Sequence, residues 1–315
     1  MANQMTMKKR LLLLTAALLV VAGCASQTAG PPAGNGEKTA AVEKTSSQQD
    51  AAAMSAEPSG LQDYKPPSMN DVPEGPLGEA ITYGHKLINE TNVALPDYVG
   101  NKLSCTSCHG NAGLDATSPL TGVAAVYPQY IPRSGKVLTI EDRINGCFVR
   151  SMNGQPLPYN SDEMRAMVAY LSYISTDVPV GTKERPWVVK NSLKEVPTPN
   201  VENGERLYMQ SCIQCHAADG SGTGANSGPA LWGDNSFNIG AGMGRISTAA
   251  GYIKRNMPLG EMGGVKQGTL TDQEAADLAA YILSFPRPDF EDKANDWPAG
   301  NAPKDVPYEL NSQKQ

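Results

Sequence analysis

"CTSCH" (105–109) and "CIQCH" (212–216) are the two stretches whose reading decides the fold. Two thiols separated by two residues, with a histidine directly after them, form the attachment signature of c-type haem. The cysteines become thioethers to the vinyl groups and the histidine becomes an iron ligand. A zinc site would need two further ligands near each pair, and the pairs 105/108 and 212/215 lie more than a hundred residues apart. A thioredoxin-like dithiol would need a βαβ setting, which the flanking sequence lacks.

Each cluster is instead bracketed by helical patterns. "GEAITYGHKLINET" (78–91) precedes the first, and "SDEMRAMVAYLSYIS" (161–175) follows it with a Ser-Asp N-cap signal. "ENGERLYMQ" (202–210) precedes the second, and "LTDQEAADLAAYILSF" (270–285) follows it with Thr271 as the cap. The repeated plan predicts a mainly α protein of two tandem cytochrome c domains, 76–176 and 201–288. A linker rich in proline and polar residues (177–200) joins them, and an irregular tail (289–315) follows. A unit made mostly of loop between two helices has a thin core, and haem is the apolar filler. Two covalent haems c are expected, one on Cys105 and Cys108 with His109, one on Cys212 and Cys215 with His216.

The N-terminus predicts export. "KKR" (8–10) and the apolar run 11–23 have the form of a signal peptide, and "VAGC" (21–24) has the form of a bacterial lipobox. Cleavage there makes Cys24 the first residue and the point of lipid attachment. The mature protein is then anchored to a bacterial membrane, the outer one favoured, on its periplasmic side without spanning it. Residues 24–75 are poor in large apolar side chains and predict a disordered tether. Some 45 residues of such chain reach roughly 35–40 Å on average. Loss of Lys8, Lys9 and Arg10 takes the formal charge from −6 to −9. So acidic a protein is not expected to bind nucleic acid.

The distal ligands carry the chemistry. Met257 stands before a proline, 41 residues after His216, and reads as the sixth ligand of the second haem; methionine there raises the potential. In the first unit two candidates stay open. Met152 aligns with Met257 and lies 43 residues after His109, but no proline follows it. Cys147 lies 38 residues after His109 and is the cysteine left over once the haem and lipid sites are assigned. His85, inside the leading helix, reads as a surface or haem-edge residue.

"YVGNKLSCTSCHGNAG" (98–113), "RINGCFVRSMNGQPLP" (143–158) and "IKRNMPLG" (253–260) resemble the dihaem thiosulfate dehydrogenases, a family that includes tetrathionate reductases. The resemblance is specific over 78–175 and more generic over 202–285. It implies His109 and Cys147 as axial ligands of the first haem, with Cys147 the catalytic centre. It implies Arg133 and Arg143 as substrate arginines, with Ser151 and Gln155 as polar contacts. The implied reaction couples two thiosulfates to tetrathionate. Electrons pass from the first haem to the second and on to a soluble cytochrome or similar acceptor. Some members carry a lysine directly before the second-haem methionine; here that residue is Asn256. Members are typically soluble in the periplasm, unlike a lipid-anchored chain.

The physical reading agrees with these implications. Thiosulfate is a dianion, and each charge-assisted hydrogen bond from an arginine contributes about 1.5–3 kcal/mol. The distributed negative charge of the protein is screened beyond about 8 Å at physiological salt, so a local arginine pair prevails. Arg150 reads as solvated or bound to a haem propionate. Three rival functions make different demands. A dihaem electron carrier wants Met-Pro in both units. A dihaem peroxidase wants a further histidine, for which His85 alone is available. A haem enzyme acting on carrier-bound sulfur would share the cysteine ligand.

Overall fold

The computed structural model describes residues 61–313. The expected signal peptide, the Cys24 lipid site and most of the expected tether lie outside the described residues. Among the described residues, no helix is long and apolar enough to cross a membrane.

The first unit runs through α1 (Pro76–Asn89), the short α2 (Thr91–Ala94), the single turn α3 (Gly110–Gly113), α4 (Ile140–Arg150) and α5 (Asp162–Tyr173). A small antiparallel hairpin, β1 (Gln129–Ile131) with β2 (Lys136–Leu138), precedes α4 and pairs Tyr130 with Val137. The second unit contains α6 (Val201–Ser211), α7 (Ile213–His216), α8 (Ile246–Asn256) and α9 (Asp272–Leu283). The two-residue strands β3 (Glu261–Met262) and β4 (Val265–Lys266) form its hairpin.

Caps set the helix starts. Ser161 accepts from the Met164 amide at 3.1 Å, and Thr271 forms a reciprocal box with Glu274, as the sequence predicts for α5 and α9. Thr139 and Asp142 make the same box at α4. Helices α4 and α8 are the two longer helices that the sequence reading did not mark.

Both units are built on one crossing of first helix over last. Ile81, Leu87 and Ile88 of α1 are buried with Met164, Met167, Tyr170 and Leu171 of α5. Gly84 stands at the crossing: a Cβ there would overlap the Ala166 carbonyl oxygen and come within 2.8 Å of Tyr170 Cβ. In the second unit Gly204 of α6 plays the same part, its Cβ position overlapping Asp277 O and lying 2.9 Å from Tyr281 Cβ. Hydrogen thus replaces a side chain at each crossing, and the backbones approach more closely than alanine allows.

Two boundary expectations change. The C-terminal end of the expected tether, residues 61–75, is part of the packed protein. Tyr64 donates to Ile174 O and Thr176 O, and Met69 and Val72 lie against the first core. The tail 289–313 holds only short turns, yet Trp297 and Leu310 are buried, so enough apolar surface is covered to fix it. The units also contact each other. Asn101 donates to Ser151 O and Ser236 O, and Asn238 to Val149 O and Asn153 Oδ1. Leu103 of the first unit is buried with Phe237 and Ala241 of the second.

Candidate active site and cofactor sites

The first C-x-x-C-H segment is a tight turn over Cys105–Ser107, capped by Ser104 and Ser107. Thr91, fully buried, accepts from the Cys105 amide at 3.1 Å and donates to its Sγ. The Ser118 carbonyl lies 2.6 Å from His109 Nδ1. A carbonyl only accepts, so Nδ1 carries the proton and Nε2 keeps a lone pair for a metal. Enclosure by protein pushes His109 down to about 4, which keeps the ring neutral. Burial pushes the Cys105 and Cys108 thiols up to about 12. As inert thiols rather than thiolates, both suit thioether formation more than zinc binding.

Helix α4 brings Arg143 and Cys147 together. The residues are one turn apart and share a face, and Arg143 Nη1 donates to Cys147 Sγ at 3.1 Å. Cys147 acts electrostatically on Cys105, Cys108 and the Tyr127 hydroxyl, so it faces the first attachment cysteines. Its thiol also raises the Arg143 guanidinium above its ordinary value. Met152, the other distal candidate, is 2% exposed and belongs to the apolar cluster with Phe148 and Leu157. A core role accounts for it.

In the second unit the Pro229 carbonyl lies 2.7 Å from His216 Nδ1 and leaves Nε2 available in the same way. Cys212, Cys215, His216 and Met257 line one cavity of about 300 Å³ with Phe237, Ile253 and Leu278. Two thiols, an imidazole and a thioether around an apolar void are the donor set a His/Met haem c requires. Cys108 lines the same cavity, and Tyr252 of α8 donates to the Cys108 carbonyl at 3.1 Å. The two attachment sites therefore share a wall. Asn256 is turned inward, donating to Asn191 Oδ1 and Tyr252 O.

The remaining predicted residues are placed differently. Arg133 Nε donates to Asp296 at 2.9 Å, and its Nη2 to Gly240 O and Tyr308 Oη at 2.6 Å. No hydrogen bond or ion pair among the described residues joins it to Arg143 or Cys147. Arg150, read from the sequence as solvated or bound to a haem propionate, forms a two-pronged pair with the same Asp296, at 2.7 and 3.0 Å. Asp296 comes from the tail, and only the folded chain shows it as the shared counter-ion. Ser151 closes α4 and offers its carbonyl to Asn101, while Gln155 is exposed with its amide on Tyr98 O. His85 is half-buried against Tyr170, ring centroids 5.3 Å apart.

Comparison with known proteins matches residues 98–180 to the SoxA/TsdA cytochrome c domain and residues 201–286 to cytochrome c. The thiosulfate dehydrogenase of Psychrobacter arcticus is 44% identical over 254 residues, 79% of this chain and 76% of the relative. That of Allochromatium vinosum is 42% identical over 234 residues, 71% and 84% of the two chains. The solved thiosulfate dehydrogenase TsdBA of Marichromatium purpuratum superposes with a TM-score of 0.66 at 36% identity. That match covers 71% of this chain and half of the solved one. Two cytochrome c domains, with two covalently bound c-type haems, thus stand on separate sequence matches as well as on the two motifs. On these similarities the chain belongs to the thiosulfate dehydrogenase family.

Proposed function

We propose that this protein couples two thiosulfates to tetrathionate, with Cys147 as the reacting group and as distal ligand of the first haem beside His109. The observation that carries the reading is the Arg143 Nη1 to Cys147 Sγ contact of 3.1 Å. It pairs a thiol with a fixed cation in the domain that matches SoxA/TsdA. The guanidinium also offers further N–H groups to an incoming sulfonate.

When bound, the haems supply two one-electron acceptors. The residues do the rest. The Cys147 thiolate joins the outer sulfur of one thiosulfate, forming a Cys–S–S–SO₃⁻ adduct as two electrons leave. A second thiosulfate attacks the sulfur of that adduct distal to Cys147, as in thiol–disulfide exchange. Tetrathionate departs and the thiolate returns, so charge and sulfur balance over the two steps. Holding the intermediate on the protein divides one coupling of repelling anions into two substitutions. Arg143 positions the dianion in both. Arg133, Ser151 and Gln155 are retained as outer substrate contacts on the strength of the family resemblance, with Arg133 held by Asp296.

His216 and Met257 would hold the iron of the second haem, and a thioether donor would set its potential above that of a thiolate-held one. Cys108 and Tyr252 join the walls of the two haem sites, so electrons released at the first would have a short path to the second and on to a soluble cytochrome. Tetrathionate reduction is the same path reversed. The "VAGC" lipobox supports a periplasmic lipoprotein anchored through Cys24.

Cys147→Ala tests the function directly. Thiosulfate oxidation and tetrathionate reduction should disappear together, because both pass through one adduct. The haem count should stay at two per chain, and stability should fall by no more than about 1–2 kcal/mol. Normal coupling by the variant would falsify the reading.

A further inference from the structure

The segment joining the two units brings a guanidinium, that of Arg185, onto the loop that orients His109. Adjacent carbonyls tie it to the first histidine: Ser118 O takes His109 Nδ1, and Pro119 O accepts from Arg185 Nη1 at 3.2 Å. Thr121 O accepts from the same nitrogen at 2.9 Å, and Thr121 Oγ1 accepts from Trp187 Nε1 at 2.9 Å. Trp187 in turn lies against Tyr64, ring centroids 4.6 Å apart. Residues 185–187 are thereby locked onto the loop that orients His109.

From this position Arg185 acts electrostatically on Arg143, His109 and the Tyr127 hydroxyl, and Tyr127 is coupled in turn to Cys147. Two cations are thus held within each other's field. Among the described residues, no ion pair joins either to a carboxylate. Contrast Arg133 and Arg150, which share Asp296. Guanidinium groups held in each other's field without a carboxylate partner suit an anion, because forked N–H donors match an oxyanion. Arg185 also lines an open cavity of about 1080 Å³ whose basic side chains, Lys183, Lys194 and Arg255 among them, outnumber the acidic ones.

We propose that Arg185, Arg143 and the Tyr127 hydroxyl form an oxyanion site beside the first haem. Two groups carry the matching chemistry: the sulfonate of thiosulfate, and a carboxylate of the haem attached at Cys105 and Cys108. The sulfonate arm rests on the function proposed above; the carboxylate arm does not.

The test uses the full dihaem protein with Arg185→Gln and Arg185→Lys, checked first for two haems per chain. Thiosulfate KM and kcat are measured beside redox titration of both haems. If the oxyanion is thiosulfate, Arg185→Gln should raise KM about tenfold or more with kcat and both potentials little changed. If it is the haem carboxylate, KM should hold while the first-haem potential falls through loss of a positive charge, the second staying put. In either case lysine should restore part of the effect. Unchanged KM and unchanged potentials in Arg185→Gln overturn the proposal. Should that variant lose haem, Tyr127→Phe takes its place, and the same two readouts decide in the same way. A wild-type protein inert toward thiosulfate would remove the proposed function while leaving the potential measurement to judge Arg185.

Discussion

Sulfur occupies two opposed environments within five residues. Met152 is sealed among apolar side chains, while Cys147 meets a guanidinium and faces the first attachment cysteines. Spacing from His109 left both candidates open because Met152 follows two residues after the end of α4, which carries Cys147. Direction separates them, and direction depends on which face of the helix is buried. In the second unit Met243, Met257 and Met262 all line the cavity with Cys212, Cys215 and His216, and Met257 is the one that stands before a proline. Met257→Gly should abolish the near-infrared band of methionine-ligated haem and slow electron exit, with thiosulfate binding largely intact. Survival of that band in the variant would move the methionine ligand elsewhere. Asn256 cannot replace the methionine without giving up its bonds to Asn191 and Tyr252.

Helix α4 carries Cys147 and α8 ends just before Met257, while α1 with α5 and α6 with α9 hold the two scaffolds. The sequence reading marked α1, α5, α6 and α9 and passed over α4 and α8, although these are as amphipathic as α1 and α6. Gly84 and Gly204 show how the scaffolds depend on close approach. Alanine ordinarily stabilises a helix interior by about 1 kcal/mol relative to glycine. Here the added methyl meets a backbone carbonyl, which has no rotamer by which to yield. Overpacking of about 1–3 kcal/mol should prevail. Gly84→Ala and Gly204→Ala are therefore both expected to lower the thermal unfolding midpoint, and a midpoint that rises in either would refute the close crossing.

At the scale of the molecule, the tail and the connecting segment act as parts of the site. Asp296 gathers Arg133 and Arg150 with Tyr308, and Arg185 reaches the His109 loop from a stretch that reads as a linker. The sequence expectation of a plain linker and tail missed both roles, because their contacts lie 64 to 163 residues away along the chain. The N-terminal anchor is tested by intact mass on protein from native membranes. Residues 1–23 should be absent and acyl mass present on Cys24, while an unmodified chain in the soluble periplasmic fraction would exclude the anchor.

Covalent chemistry and capping are local, so the sequence by itself determined the haem attachment sites, the two-domain plan, the Ser161 and Thr271 caps and the family resemblance. A C-x-x-C-H motif needs its own five residues, and a cap needs its own four. Counter-ions obey no such limit. Whether an arginine is free to hold a substrate depends on which carboxylates fold beside it, and that is set by tertiary packing. Only the structure could show that Asp296 engages Arg133, that Arg143 meets Cys147 along one face of α4, and that Arg185 is tied to the loop that orients His109.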